Sequence, residues 1–200
     1  MMSCIETINS RYFTGAGVAL VTPFDENQEI DFGALGALLD HVNAAQIDYL
    51  VVMGTTAEAP TITHQEKQAV LDFCTKNNHR NIPIVMGIGG NSTAAVIQAI
   101  ESFDLSKASG ILSITPYYNK PTQEGLLAHF SAIAQSSPIP IILYNVPGRT
   151  GVNMSAETTL TLAHKYPQKI VAIKEASAQI NQIAKILRDR PVGFSVISGD

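Results

Sequence analysis

Lys174 is a basic residue in a place where the sequence predicts burial. It follows the run 170–173, which is apolar on both alternating faces, as is typical of a strand buried in a parallel sheet. Loss of hydration favours the neutral amine over the ammonium, and a neutral lysine amine can form a Schiff base with a carbonyl compound. The alternative is an ordinary strand-end lysine that extends to solvent or pairs with an acid. Its neighbour Glu175 alternates to the opposite face of a strand and is no obvious partner.

Four hydroxyl side chains and one guanidinium stand at or just beyond the ends of three other apolar runs. They are Thr55, Thr56, Tyr118, Tyr144 and Arg149. Hydroxyls can bind a carboxylate or relay a proton, and arginine can bind a carboxylate bidentately. Each also has a purely structural interpretation, because threonines often stabilise turns and a strand-end tyrosine can be a rim residue with a hydrogen-bonded hydroxyl.

The elements that must position these side chains repeat along the chain. Apolar runs rich in β-branched residues recur at intervals of roughly thirty residues, the size of one strand–helix unit. They predict seven strands, at 17–22, 48–53, 82–88, 109–115, 139–144, 169–173 and 192–198. Helical patterns separate the strands, and their expected N-terminal caps are Asp31, Thr63 (in a capping box with Glu66), Ser92, Thr122 and Ser155, with a further helix over 180–188.

This repeat predicts an α/β fold with a parallel sheet, and two architectures compete. A dinucleotide-binding fingerprint would favour a doubly wound sheet, but the glycine-rich segment 87–92 has Ser92 in place of the last glycine and is better explained as a turn. A (β/α)₈ TIM barrel gathers the carboxyl ends of its strands at one mouth. Because the polar residues follow four different strands, we favour the barrel.

The predicted barrel is one strand short. Eight strands close such a barrel, and only the first seven are found before Asp200. We therefore expect residues 1–12 to form an N-terminal extension, and residues 13–200 to form a TIM-barrel catalytic domain that lacks strand 8 and the C-terminal helices. The 200 residues are expected to be a fragment of a longer polypeptide.

Composition argues against several classes of function. With 46% apolar and 15% charged residues the chain is globular, and a net charge of −4 with scattered basic residues argues against nucleic acid or an anionic membrane as partner. No apolar run approaches the ~18 residues of a membrane span. Cys4, Cys74 and the five histidines show no metal-ligand or disulfide spacing, so we expect a cytoplasmic protein without a metal site.

Five short motifs occur in order along the repeat. They are Gly-Thr-Thr-x-Glu at 54–58, Thr-Pro-Tyr-Tyr-Asn-x-Pro at 115–121, Tyr-Asn-Val-Pro-x-Arg-Thr-Gly at 144–151, Ile-Lys-Glu-Ala at 173–176 and Ser-Gly-Asp at 198–200. In this combination the chain resembles the dihydrodipicolinate synthase (4-hydroxy-tetrahydrodipicolinate synthase) family, of the N-acetylneuraminate lyase / class I aldolase superfamily. The resemblance runs from about residue 13 to the end.

The resemblance implies a reaction of lysine and diaminopimelate biosynthesis, the condensation of pyruvate with L-aspartate 4-semialdehyde to 4-hydroxy-tetrahydrodipicolinate. It implies that Lys174 forms the Schiff base with pyruvate and that no cofactor is needed. It also implies a homo-oligomer, a dimer or tetramer, because the family's proton relay includes a tyrosine from a neighbouring subunit.

The other site residues carry roles by the same resemblance. Thr55, Tyr144 and Tyr118 match the proton relay, with Tyr118 as the tyrosine given to the neighbour. Thr56 would bind the pyruvate carboxylate, and Arg149 the carboxylate of the semialdehyde. N-acetylneuraminate lyase, which shares the barrel, lysine and tyrosine, is an alternative, but its loop lacks the Arg-Thr-Gly found here. Another pyruvate-dependent aldolase or a non-catalytic paralogue are further alternatives; the intact residue set favours the enzyme.

Two departures from the family pattern carry expectations. Ala57 stands where many members have glycine, which is tolerable if its φ is negative. Lysine-inhibited members bind lysine at the subunit interface, and part of that pocket is matched by His64, Asn91 and Tyr117. Ala95 replaces its glutamate and Lys67 a second imidazole, so we expect weak or absent feedback by lysine.

Overall fold

The computed structural model describes residues 13–199, and its seven strands form one parallel sheet. The strands are β1 (Gly17–Ala19), β2 (Tyr49–Val52), β3 (Ile84–Gly87), β4 (Gly110–Ile114), β5 (Ile141–Asn145), β6 (Ile170–Glu175) and β7 (Ser195–Ser198). They pair in chain order, each parallel to the next. In a doubly wound sheet the strand order would reverse at a switch point. The predicted seven-strand portion of a TIM barrel is therefore confirmed, and the predicted extension at residues 1–12 lies outside the described residues.

The helices lie between the strands, and all but the short α5 begin where the sequence predicts. They are α1 (Phe32–Ala44), α2 (His64–Lys76), α3 (Thr93–Ser102), α4 (Gln123–Ser136), α5 (Pro147–Thr150), α6 (Ala156–Lys165) and α7 (Ile180–Asp189). Each predicted cap accepts a hydrogen bond from a backbone N–H three residues further on, and these caps are Asp31, Thr63, Ser92, Thr122 and Ser155. The caps satisfy N–H groups that the first turn of a helix leaves without partners.

Two elements between β2 and α2 and one after β5 are not predicted by the sequence. Single 3₁₀ turns occupy Thr55–Ala57 and Ala59–Thr61. The single turn α5 starts at Pro147, because the fixed φ of proline suits the first position of a helix. These short turns carry three of the predicted site residues.

The first and last strands are shorter than predicted. β1 ends at Ala19 rather than at 22, and β7 begins at Ser195 rather than at 192. Before β7 the chain turns: Gly193 has φ +87°, and the N–H of Phe194 donates to the carbonyl of Pro191.

β6 contains a bulge near its start and continues two residues beyond its predicted end. Its pairing with β5 skips Val171, so that Ile170 and Ala172 pair with consecutive residues of β5. The extra residue decides which side chains of β6 point to which face of the sheet, because side chains alternate between the two faces. As a result, Lys174 faces the inside of the curved sheet and Glu175 faces the helices.

Side chains pack in two layers on either side of the sheet. The layer between sheet and helices includes Leu35, Leu50, Met86, Ile111, Phe130 and Ile173. The layer inside the curve includes Phe13, Tyr49, Val85, Leu112, Ile142 and Tyr144. Within residues 13–199, no helix is long and apolar enough to cross a membrane.

Candidate active site

Lys174 and Tyr144 form the centre of the site. They are register partners at the carboxyl ends of β6 and β5, and both face the inside of the sheet. The Lys174 Nζ atom lies 4.7 Å from the centroid of the Tyr144 ring, within the range of a cation–π contact. Tyr144 is buried and Lys174 is half-buried. The amine therefore lies beside a phenol at the strand ends, where barrel enzymes carry their chemistry.

A cavity of about 270 Å³ surrounds this pair. Thr55, Thr56 and Arg149 line it together with the pair, so five of the six predicted site residues meet in one cavity. Its remaining walls include small residues, among them Ala19, Gly54, Ala176 and Gly199. The cavity has a volume suited to a small molecule, with an amine, hydroxyls and a guanidinium at its surface.

The turn that carries the two threonines is held by the backbone around Ala57. Ala57 is buried, and its carbonyl accepts a hydrogen bond of 2.9 Å from the Thr22 hydroxyl. It does not have a positive φ, whereas the next residue, Glu58, has φ +56°. The expectation that alanine is tolerated at 57 is confirmed, because the left-handed conformation falls on Glu58. Both threonine side chains remain exposed at the cavity.

Close packing below the threonine turn requires a glycine. A Cβ at Gly87, the last residue of β3, would lie 2.0 Å from the carbonyl oxygen of Met53. Met53 itself has φ +54°. The end of β3 thus approaches the backbone that leads into the threonine turn, and a side chain at 87 would displace it.

Arg149 stands between two cavities. It lies on α5, its own backbone N–H donates to the carbonyl of Val146 at 2.9 Å, and its side chain is exposed. It lines the cavity around Lys174 and also an adjoining cavity of about 420 Å³, which reaches Lys67 and Tyr117. Burial lowers the pKa of Lys67 below its usual value. A carboxylate in this larger cavity would find two basic side chains at its wall, Lys67 and Arg149.

Tyr118 is the predicted site residue that the structure does not bring to the cavity. Its side chain is 89% exposed and its φ is +73°. Lys120 in the same loop also has a positive φ. A bulky residue in the left-handed region costs free energy and persists where its surroundings impose it. The loop after β4 therefore presents Tyr118 outward, away from the five other residues.

The residues that match the family's lysine pocket lie around the larger cavity and beside it. Lys67 and Tyr117 line this cavity, and His64 stacks on Phe103 with ring centroids 4.0 Å apart. The Asn91 carbonyl accepts from the Asn119 amide at 3.0 Å. Weak or absent feedback by lysine remains a prediction.

Gly199 is a site residue that the sequence analysis did not single out. A Cβ at this position would lie 2.7 Å from the Ala176 Cβ and 3.1 Å from the Lys174 Cε. Its lack of a side chain therefore leaves the room that the lysine stem occupies. The Ser-Gly-Asp motif contained the signal, since glycine is the residue that permits such close approach.

Among residues 13–199, no group of three or more His, Cys, Asp or Glu side chains is placed to hold a metal ion. The one described cysteine, Cys74, is buried with a free thiol, and burial raises its pKa to about 12. The functional groups gathered at the site are therefore the amine, the phenol, two hydroxyls and the guanidinium.

Comparisons with known proteins show which family this chain is similar to. Residues 12–200 match the model of the dihydrodipicolinate synthetase family. The 4-hydroxy-tetrahydrodipicolinate synthase of Azobacteroides pseudotrichonymphae is 52% identical over 186 residues, which are 93% of this chain and 62% of that protein. The chain spans 62% of the length of this relative and of the 4-hydroxy-tetrahydrodipicolinate synthase of Parabacteroides distasonis, to which it is 49% identical.

Solved structures show the same fold over the described part of the chain. The dihydrodipicolinate synthase of Aquifex aeolicus superposes with a TM-score of 0.88 at 41% identity, covering 94% of this chain and 64% of that one. A chloride-inhibited dihydrodipicolinate synthase from Acinetobacter baumannii in complex with pyruvate gives a TM-score of 0.88 at 38% identity, covering 93% and 63%. By its fold, its site and these matches, the chain belongs to the dihydrodipicolinate synthetase family.

Proposed function

We propose that this chain carries the Schiff-base site of a 4-hydroxy-tetrahydrodipicolinate synthase, which condenses pyruvate with L-aspartate 4-semialdehyde. The observation that carries the proposal is the convergence of Lys174, Tyr144, Thr55, Thr56 and Arg149 on one cavity of about 270 Å³. The pyruvate complex of the related Acinetobacter baumannii enzyme supports pyruvate as the first substrate. The reaction belongs to lysine and diaminopimelate biosynthesis.

The first half of the reaction uses the amine of Lys174. Its nitrogen attacks the C2 carbonyl of pyruvate, and loss of water gives an iminium ion that withdraws electrons from the adjacent methyl group. Removal of one methyl proton by a base produces the enamine. In this scheme Tyr144 and Thr55 pass protons at the nitrogen and at the departing water, while Thr56 holds the pyruvate carboxylate.

The second half joins the two substrates. The enamine carbon attacks the aldehyde carbon of the semialdehyde, and the resulting alkoxide takes up a proton. The amino group of the semialdehyde then attacks the iminium carbon, closes the ring and releases Lys174 as a free amine. Arg149 binds the carboxylate of the semialdehyde, a role for which its fork of N–H donors is suited.

Arg149 also distinguishes this proposal from a lyase acting on sugar acids. It lies at the junction of the two cavities, where a short aldehyde that bears a carboxylate would approach the enamine. A sugar-acid substrate places hydroxyl groups there and does not need a guanidinium.

We further propose that the protein acts as a homo-oligomer in the cytoplasm. The exposed Tyr118 supports the first part, because a strained and outward-facing aromatic residue fits a role in the site of a neighbouring copy. The free thiol of Cys74 supports the second part, because a reducing compartment preserves such thiols.

Borohydride trapping tests the proposed chemistry. Full-length protein is incubated with pyruvate and borohydride, and we expect mass spectrometry to find one reduced pyruvate adduct on Lys174. Lys174→Ala should give no adduct, while Lys107→Ala, which changes an exposed lysine, should be trapped like the wild type. An adduct absent from the folded wild-type protein would refute the mechanism.

Substrate identity has its own test. Arg149→Ala should leave trapping with pyruvate unchanged but raise the KM for the semialdehyde by about 100-fold, because a charge-assisted bidentate contact is lost. An unchanged KM would remove the semialdehyde from the proposal while leaving the Schiff base in place.

A further inference from the structure

Two polar residues lie directly behind the lysine–tyrosine pair and take no part in the proposed chemistry. Asn145 and Glu175 each follow a residue of the pair, and they are register partners of β5 and β6. Both face the helices, and they are 0% and 1% exposed. A carboxylate this buried is costly unless hydrogen bonds compensate it, so its presence at this position calls for a reason.

The Glu175 carboxylate is surrounded by neutral N–H donors. The Asn145 Nδ2 donates to both carboxylate oxygens, at 3.0 and 3.2 Å. The backbone N–H of Ser177 donates to Oε1 at 3.0 Å, and the Gln182 Nε2 donates to Oε2 at 3.0 Å. Every partner is a donor, and a carboxylate is the side-chain group that accepts from all of them.

The same network fastens the strand ends to the helices outside them. The Asn145 Oδ1 accepts from the backbone N–H of Met154 at 2.9 Å. Gln182, on α7, donates to the Met154 carbonyl at 3.1 Å, and its Oε1 accepts from the Asn153 amide at 2.9 Å. The ends of β5 and β6, the segment before α6 and the first turns of α7 are thereby joined through side chains.

The position of this network determines what it can control. Asn145 directly follows Tyr144, and Glu175 directly follows Lys174. Any change in the distance between Asn145 and Glu175 therefore also moves Tyr144 and Lys174. The backbone ladder between the strands ends nearby, where the Ala176 N–H donates to the Asn145 carbonyl. The side-chain hydrogen bonds between Asn145 and Glu175 add to this backbone contact at the strand ends. A displacement of about 1 Å at reacting groups can cost roughly 100-fold in rate.

We propose that Asn145 and Glu175 are positioning residues, which hold the Tyr144 phenol and the Lys174 amine at the separation that Schiff-base chemistry requires. This inference rests on the proposed function, because it assigns the network a role in that reaction. A purely structural network would stabilise the fold but leave the rate of a folded variant unchanged.

Glu175→Gln is the decisive variant. It keeps the size of the side chain but turns one oxygen into an NH₂ group that faces only donors. In full-length protein we expect borohydride trapping at saturating pyruvate to slow by about 10- to 100-fold, with less than about a threefold change in the pyruvate concentration at half-saturation.

The controls separate this inference from its premises. Asn181→Ala removes an exposed amide from α7, the helix that carries Gln182, and should be trapped like the wild type. Circular dichroism must show that each variant is folded at the assay temperature. A folded Glu175→Gln that is trapped at the wild-type rate would overturn the inference.

If Glu175→Gln does not fold, a second variant tests the positioning role. Gln182→Ala deletes one donor to Glu175 at a helical position where alanine is favourable, and we expect several-fold slower trapping; a wild-type rate would overturn the inference. If the wild type itself gives no adduct on Lys174, the proposed function fails instead.

Discussion

At the scale of single residues, the site depends on space as much as on functional groups. A Cβ at Gly199 would press on the Lys174 Cε and the Ala176 Cβ, at 3.1 and 2.7 Å. We predict that Gly199→Ala displaces the lysine stem and slows borohydride trapping by about tenfold, measured as the initial rate of adduct formation. Gly36→Ala is the matched control, because its Cβ would make an ordinary 3.6 Å contact with Phe73 on the helical side. Equal rates for the wild type and a folded Gly199→Ala would contradict the prediction.

His129 is a buried residue whose ionisation affects stability. It is 4% exposed, its Nδ1 lies 2.8 Å from the Thr93 hydroxyl, and its Nε2 has no partner among the described residues. Burial lowers its pKa from 6.5 to about 4. Because the unfolded state binds the proton more tightly, this contribution to stability is complete above pH 6.5 and is lost as pH falls toward 4. We predict that the free energy of unfolding decreases by about 2 kcal/mol between pH 7 and pH 5 from this residue.

Denaturant unfolding at several pH values checks the role of His129. The variant His129→Leu has no imidazole to protonate and should lose most of this pH dependence. His79→Gln, which changes an exposed histidine, should keep it. The same pH dependence in His129→Leu as in the wild type would assign the effect to other groups.

At the scale of elements, a capping box fixes the start of α2. The Thr63 backbone N–H donates to the Glu66 carboxylate at 2.8 Å, and the Glu66 N–H donates to the Thr63 hydroxyl at 3.3 Å. We predict that Thr63→Ala lowers the free energy of unfolding by about 1 kcal/mol, measured by denaturant titration. Thr75→Ala removes a hydroxyl from the last turns of the same helix without removing a cap, and should change the value by less than about 0.5 kcal/mol. Equal losses in the two variants would show that the cap has no special role.

At the scale of the whole molecule, the outward position of Tyr118 predicts complementation between subunits. We expect Tyr118→Phe and Lys174→Ala each to be nearly inactive in full-length protein. If Tyr118 serves the neighbouring site reciprocally, a mixed pair has one site with both residues intact. Random assembly on co-expression should therefore restore about a quarter of the wild-type activity, measured as pyruvate-dependent consumption of the semialdehyde.

The matched control for complementation pairs Lys174→Ala with Tyr144→Phe. Both of these residues belong to the same chain's cavity, so no mixed pair contains an intact site and no recovery is expected. Recovery in this control, or none in the test mixture, would contradict the assignment of Tyr118 to a neighbour.

Local features of the chain were readable from the sequence alone. The caps of five helices, the alternation of strands and helices, and the chemistry at the strand ends depend on residues close together in the chain. They are therefore visible in short-range patterns. The choice of a barrel over a doubly wound sheet followed from a general rule, that polar residues after several parallel strands meet at one mouth. The family resemblance rested on motifs of the same short-range kind.

Only the tertiary structure decided how these parts meet. The bulge that skips Val171 turns Lys174 inward, and it is a feature of the pairing between β6 and β5. The room beside the lysine comes from Gly199, which directly follows β7. The hydrogen bonds between Asn145 and Glu175 join residues thirty positions apart. The sequence by itself thus determined which chemical groups the site contains. The folded chain decided their separation, because distances between strand ends are set by packing and hydrogen bonds among residues remote in sequence.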